Sequence, residues 1–171
     1  MKKTALFVSL ALAVLLSPLV RAETQPLSSS ALQALRQNCV SAQVSLQRLQ
    51  QSEKPTRINR GYLYDRTLKL MSSFNSRVAF NNIESPDLFS LTARYQDGLR
   101  TFAEEYTKYD DHLSDLIAFD CANNPAEFYD TLVETRRLRT DLTTTINEID
   151  GLLKDYQTNL ESVKKVVEVT T

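Results

Sequence analysis

The stretch of sequence that decides the fold is residues 88–127, LFSLTARYQDGLRTFAEEYTKYDDHLSDLIAFDCANNPAE. Its first part carries a row of apolar or aromatic residues spaced by alternating fours and threes, which Thr92 completes. The members of this row are Leu88, Tyr95, Leu99, Phe102, Tyr106, Tyr109, Leu113 and Leu116. Such spacing predicts a long amphipathic helix with one buried face. Residues 120–125 break the period and a new helix is predicted to follow, so the stretch predicts a helical hairpin against which the remaining chain packs.

The composition favours long helices in a single domain. The chain has 171 residues, of which 42% are hydrophobic, and only 3 Gly and 5 Pro. That length is sufficient for one domain with its own core. So few helix-breaking residues favour continuous helices over many short strands.

The N-terminal residues have the pattern of a secretory signal peptide. Lys2 and Lys3 precede an apolar run over residues 5–16, and Val20-Arg21-Ala22 fits a cleavage site. Residues 1–22 are therefore predicted to be removed after Ala22. An uncleaved membrane anchor is the alternative, although the apolar run is shorter than the ~20 residues that a spanning helix needs.

Cleavage would leave an acidic, exported domain. Residues 23–29 are predicted to form a flexible lead and residues 30–169 a single helical bundle, located in the periplasm, in the cell envelope or outside the cell. Without its signal the chain keeps 17 of its 20 basic residues against 21 acids, a formal net charge of −4. This charge argues against bulk nucleic-acid binding. A membrane contact is predicted only through a retained signal segment, and no small-molecule ligand is predicted.

The two cysteines select the topology. In an oxidising compartment Cys39 and Cys121 are predicted to form one disulfide, whose Cα atoms must lie within about 7 Å. An up-down four-helix bundle with a tight turn at Pro55 would separate them by tens of Å. A single first helix that is only kinked at Pro55 would bring them side by side. We therefore predict an all-α fold, an elongated antiparallel three-helix bundle, with the four-helix bundle as the alternative.

The first half of that bundle is predicted to have two apolar faces and a positive charge. Tyr64, Leu68, Met71 and Val78 share one face, and Leu63, Leu70 and Phe74 lie on an adjacent one, which predicts contact with two neighbouring helices. Residues 30–82 carry eight bases and two acids, whereas residues 85–121 carry eight acids and three bases. Opposite charges on antiparallel neighbours would help to fix their register.

No arrangement of residues predicts catalysis, a metal site or a cofactor. His112 is the only imidazole, and no further ligands complete a site around it and its neighbours Asp111 and Asp115. The acidic run around it lacks the spacing and the glycine of a calcium loop. Nucleophile motifs and glycine-rich phosphate loops are absent from the sequence. The chain is therefore not expected to be an enzyme.

The last helix carries the predicted partner surface. Arg136, Arg137 and Arg139 are candidates to bind acids of a partner or anionic lipid headgroups, with pairing to the preceding acidic helix as the alternative. If the end of this helix extends beyond the bundle, its apolar row is predicted to bind a partner or a second copy. The residues of that row are Ile149, Leu153, Tyr156, Leu160 and Val163.

A resemblance to known sequences agrees with export and helical structure. The residues that carry it are Tyr106-x-x-Tyr109, Asp120-Cys121, Pro125, Phe128, Leu132, Arg136 and Arg139. With them the chain resembles, from Cys39 to Leu142, small exported helical proteins of candidate-phyla bacteria that also pair an early Cys with a Cys at this turn. The resemblance implies an exported bundle and no known activity.

These observations predict a non-enzymatic protein that works by contact. The favoured function is a cell-envelope adaptor, spacer or interaction module that acts through helix packing or self-association. The alternative is a periplasmic-type holdase chaperone for exported proteins, which requires an exposed apolar groove.

Overall fold

The computed structural model describes residues 27–170, except for the side chains of Val166, Val167, Val169 and Thr170. Within this range the chain forms three helices that all contact one another: α1 Ser29–Phe80, α2 Pro86–Ala118 and α3 Pro125–Thr170. The predicted all-α three-helix bundle is confirmed. The predicted signal peptide and residues 23–26 of the predicted lead lie outside the described residues.

Helix α1 continues through Pro55. A proline inside a helix removes the N–H that would bond to the carbonyl four residues earlier, here that of Gln51, yet α1 continues on both sides of it. The four-helix alternative needs a turn at Pro55 and is therefore wrong, while the kink stays a prediction. At ~1.5 Å per residue the 52 residues of α1 span roughly 78 Å. The N-cap is Ser28, whose side chain accepts a hydrogen bond from the Ala31 N–H at 3.3 Å.

The connection between α1 and α2 is a tight turn. Asn82 has a φ of 54°, in the left-handed region that asparagine tolerates better than most residues. The Ile83 N–H then donates to the Val78 carbonyl at 3.0 Å, which satisfies one of the last carbonyls of α1. Pro86 opens α2, as expected for a first-turn proline.

The connection between α2 and α3 is held by side-chain hydrogen bonds and by the disulfide. Asp120 accepts hydrogen bonds from the side chain and the backbone N–H of Asn123, and these bonds lower the pKa of Asp120. Cys121 is bonded to Cys39 with a Cα–Cα distance of 5.5 Å, so this turn lies beside α1. Gln43 of α1 donates to the carbonyls of Ile117 and Phe119 at 2.9 and 2.8 Å, which caps the end of α2.

Helix α2 is the centre of the bundle. The row predicted from its sequence is its buried face, and Leu88, Tyr95 and Leu116 are fully enclosed. Helices α1 and α3 each contact α2 more extensively than they contact each other. Between the basic α1 and the acidic α2, ion pairing among the described residues is limited to Lys54 and Asp110 at 3.9 Å. Register is therefore set mainly by packing and hydrogen bonds.

Candidate interaction surface

Three polar contacts connect α1 to α3, and each includes a tyrosine hydroxyl. They lie at successive levels of the bundle and are centred on Glu53, Tyr64 and Asn75 of α1. Polar groups that are buried and satisfied by hydrogen bonds fix geometry because their partners must stand in defined positions. These contacts therefore hold α1 and α3 at a set distance.

The Glu53 contact joins all three helices. Its carboxylate accepts hydrogen bonds from the Tyr109 hydroxyl at 2.8 Å, from Arg57 at 3.2 Å and from Arg139. Burial alone would raise the pKa of Glu53, but the Tyr109 hydroxyl and the two guanidinium groups outweigh it and lower the pKa. Burial and the neighbouring carboxylate raise the pKa of Tyr109 to about 12.

The hydrogen bonds of the Tyr64 contact join only α1 and α3. The Tyr64 hydroxyl donates to Asp150 of α3 at 2.8 Å and accepts from Arg60 at 3.2 Å. Arg60 also pairs with Asp150 at 3.5 Å. Burial, the largest cause, raises the pKa of the Tyr64 hydroxyl.

The Asn75 contact again joins all three helices. The Asn75 amide nitrogen donates to the Thr92 hydroxyl at 2.8 Å and to the Leu88 carbonyl at 3.3 Å. Its oxygen accepts from the Tyr156 hydroxyl at 2.9 Å. Asn75 is 4% exposed, and this pairing of both ends of its amide avoids the cost of an unsatisfied buried polar group.

Beyond Asp150, α1 and α3 leave an open apolar groove between them. It comprises two adjoining cavities of about 390 and 360 Å³ that share Phe74, Arg77 and Leu160 as lining residues. Leu70 and Leu153 extend the apolar lining toward the middle of the bundle. An apolar cleft between two helices is a common site for binding a ligand or another helix.

The exposed wall of the groove on α1 includes Leu70, Ser73 and Arg77. These three residues belong to a longer row of exposed residues on that side of α1, which we call the outer stripe. Its members are spaced alternately by three and four: Thr56, Asn59, Leu63, Arg66, Leu70, Ser73, Arg77 and Phe80. Leu63, Leu70 and Phe80 are 60%, 71% and 86% exposed. The predicted contact of α1 with two neighbouring helices is confirmed, and Phe74 packs against the core, but the prediction is wrong for Leu63 and Leu70, which are exposed.

The predicted partner surface on α3 is only partly accessible. Ile149, Tyr156 and Val163 are buried in the core of this chain, because α3 packs along α2 and α1 instead of extending beyond them. Tyr156 and Val163 reach a partner only as part of the floor of the groove. Leu153 and Leu160 are half-buried and line the groove.

The predicted arginine cluster is divided among different partners. Arg137 pairs with Glu134 and Asp141 of its own helix, both at 2.6 Å. Arg139 pairs with Glu53 of α1. Arg136 is exposed and makes no ion pair with a described residue. The alternative of pairing with the preceding acidic helix is wrong for Arg137 and Arg139, since none of their three partners belongs to α2.

Sequence reasoning named Leu70 and Phe74 as part of an apolar face of α1 but did not identify them, or Arg77, as the wall of an open groove. The signal that could have found them is the second heptad-like row on α1, which was assigned to packing within the chain. Sequence period alone does not distinguish a covered row from an open one.

Within 27–170, no group of three or more His, Cys, Asp or Glu side chains is placed to hold a metal ion. No helix in that range has the length and hydrophobicity needed to cross a membrane. Comparison with protein-family models, with curated proteins and with solved structures finds no match to this chain.

Proposed function

We propose that this chain is an exported, non-enzymatic interaction module that binds a helical segment of a protein partner and serves as an adaptor or spacer. The observation that carries the proposal is the groove between α1 and α3, with its apolar floor and its exposed leucines. Amphipathic helices are commonly recognised by laying their apolar face into such a groove.

The shape of the bundle supports this proposal. The hydrogen bonds at Glu53, Tyr64 and Asn75 fix α1 and α3 relative to each other, and the Asn75 contact does so beside the groove. A partner would therefore meet a groove that is already formed, and preorganisation reduces the entropy cost of binding.

The disulfide supports the exported part of the proposal. Cys39 and Cys121 are buried and bonded to each other, and structural disulfides are typical of oxidising compartments outside the cytosol. Cleavage after Ala22 and residence in the periplasm, cell envelope or extracellular space belong to the same proposal.

Crosslinking from the groove tests the proposal. We would place a photo-crosslinking amino acid at Leu70, or at exposed Thr107 on α2 as the control, in the mature chain within the producing cells. The expected result is one partner captured at about one-to-one stoichiometry from Leu70 and not from Thr107. Capture of no protein, or equal capture from both positions, would contradict the proposal.

A matched pair of variants shows whether capture depends on the groove. Leu70 and Val40 are 71% and 74% exposed, so glutamate at either position should be tolerated by the fold. Leu70→Glu is expected to abolish co-purification of the captured partner, whereas Val40→Glu is expected to preserve it. Equal loss in both variants would mean that the partner binds elsewhere.

The holdase alternative predicts a different outcome in the same experiment. The exposed apolar lining of the groove is also what a holdase would use to retain unfolded chains. Capture of many unrelated envelope proteins from Leu70, together with suppression of their aggregation at equimolar ratio, would favour the holdase. A single partner would exclude it.

A further inference from the structure

We propose that the helix received by the groove is amphipathic and acidic along the edge that faces α1, with two carboxylates about three helical turns apart. This inference rests on the proposed function and names the chemistry of the partner. It follows from the charges of the two walls.

The outer stripe is basic, and one of its two arginines, Arg77, lines the groove itself. The outer stripe contains Arg66 and Arg77 and no acid. Neither arginine makes an ion pair with a described residue, and Arg66 lies 5.7 Å from the centre of the exposed Tyr62 ring. An incoming carboxylate would therefore not compete with an existing salt bridge.

The acids of α1 are already engaged elsewhere. Glu53 is held by Tyr109, Arg57 and Arg139, and Asp65 pairs with Lys69 at 2.6 Å on another face of the helix. No carboxylate of α1 is therefore placed to neutralise the two arginines of the outer stripe. Their charge is free to select a partner.

The α3 wall has no such preference. The polar residues of α3 that line the groove are Gln157, Lys164 and Glu168, which are neutral, positive and negative in turn. Charge complementarity therefore distinguishes the two edges of a bound helix and also sets its orientation. The edge on α1 is expected to be acidic, and the edge on α3 mixed.

The spacing of the arginines defines the spacing of the acids. Arg66 and Arg77 are eleven positions apart, which is about three turns and roughly 16 Å along the helix axis. A helix that lies alongside α1 would present two carboxylates eleven positions apart to the same two arginines. Leu70 lies between them and would contact the apolar face of the partner.

A second copy of this chain fits less well. Contact between two outer stripes would oppose Arg66 and Arg77 of one copy to the same arginines of the other, which is repulsive. The acidic helix α2 is no better an occupant, because its apolar row is already buried in its own core.

Two synthetic helical peptides test the inference. Both would have three heptads with a leucine seam, and lactam bridges on the outer face would keep them helical, because short isolated helices are marginal in water. One carries Glu at two edge positions eleven residues apart, and the other carries Lys there. The Glu peptide is expected to bind the mature, disulfide-intact chain about fivefold more tightly at low salt, with the preference reduced at high salt.

Charge reversal locates the effect. The variant Arg66→Glu with Arg77→Glu is expected to reverse the preference toward the Lys peptide. Arg94→Glu with Lys108→Glu makes the same change in net charge on exposed positions of α2 and is expected to keep the original preference. Leu63 and Leu70 should show the largest amide shifts in NMR spectra when the Glu peptide binds.

Several results would overturn the inference. These are equal affinity for the two peptides, binding of neither peptide, reversal by the α2 control variant, or concentration-dependent dimerisation that is blocked by Leu70→Glu. None of these results decides the proposed function, which is tested by capture of a single partner from Leu70. A captured partner whose crosslinked helix is basic would leave the proposed function standing and would remove this inference.

Discussion

Helix α3 has two seams, and they are built differently. Against α2 the seam is tight and apolar: a Cβ added at Gly98 would lie 3.0 Å from Cγ1 of Ile149. Against α1 the contact is much less extensive; it includes hydrogen bonds through Arg139, Asp150 and Tyr156, and the groove stands open beside them. Helix α1 is held mainly on α2, through apolar packing and the Cys39–Cys121 disulfide, and its contact with α3 is the least extensive of the three.

The difference separates stability from geometry. Burial of apolar surface supplies most of the free energy of folding, and it is concentrated on the faces that meet α2. A typical hydrogen bond adds only about 1 kcal/mol, but it requires defined positions of donor and acceptor. The seam between α1 and α3 can therefore be specific in geometry and still leave room for another helix.

The largest expected effect tests the tight seam. Ile149 is 1% exposed, so Ile149→Ala removes buried methyl groups and is expected to lower the free energy of unfolding by about 3 kcal/mol. The matched truncation on the open side, Leu70→Ala, should change it by less than about 0.5 kcal/mol. Urea unfolding of both variants measures the difference, and equal losses would contradict the contrast between the seams.

A smaller effect tests the polar contacts. Tyr109→Phe leaves the Glu53 carboxylate without one of its donors and is expected to cost about 2 kcal/mol at neutral pH. Tyr95 is equally enclosed, but its hydroxyl makes no hydrogen bond with a described residue, so Tyr95→Phe should be neutral or stabilising. Thermal unfolding of the two variants at pH 7 compares them directly.

The pH dependence of the same pair provides a control. The pKa of Tyr109 and of Tyr95 is raised from 10.0 to about 12, so the wild-type protein should lose stability as pH rises from 10 toward 12, and each variant should lose less. The pKa of Glu53 is lowered, so its contribution is present above the ordinary value of 4.5 and is lost as pH falls below it. Only Tyr109→Phe should weaken this acid dependence.

The smallest expected effect is the difference in stability between two glycine-to-alanine variants, one in the tight seam and one outside it. Gly151 has open space around it, so Gly151→Ala should stabilise α3 by about 0.5 to 1 kcal/mol through helix propensity. At Gly98 the same change crowds Ile149, and Gly98→Ala should be less stable than Gly151→Ala by about 1 kcal/mol. Parallel denaturation curves would show this order, and the opposite order would mean that the seam between α2 and α3 is looser than described.

The sequence was sufficient for the fold because its signals were local or covalent. The row from Leu88 to Leu116, the breaks near Pro86 and Pro125, and the pairing of Cys39 with Cys121 each limit the topology by themselves. The predicted disulfide in particular favoured the three-helix bundle over the four-helix bundle, since only a continuous α1 brings the cysteines together.

The surface was less predictable because it depends on which helix covers which row. Leu70 and Tyr156 both belong to apolar rows of similar period, yet one is exposed and the other is in the core. The contact between Glu53 and Arg139 joins residues 86 positions apart, and no local pattern indicates it. Apolar periodicity predicts that a face is to be covered, but the covering partner is decided by tertiary packing.

The disulfide also determines how this bundle would transmit mechanical tension. A pull between the start of α1 and the end of α3 passes from Cys39 directly to Cys121, so the chain between them carries no load. That closed loop of 82 residues corresponds to roughly 280 Å of extended chain that cannot be drawn out while the bond is intact. Helix α2 and most of α1, including the α1 wall of the groove, would therefore be shielded from the load while α3 is peeled away, and reduction of one bond would convert a short tether into a long one.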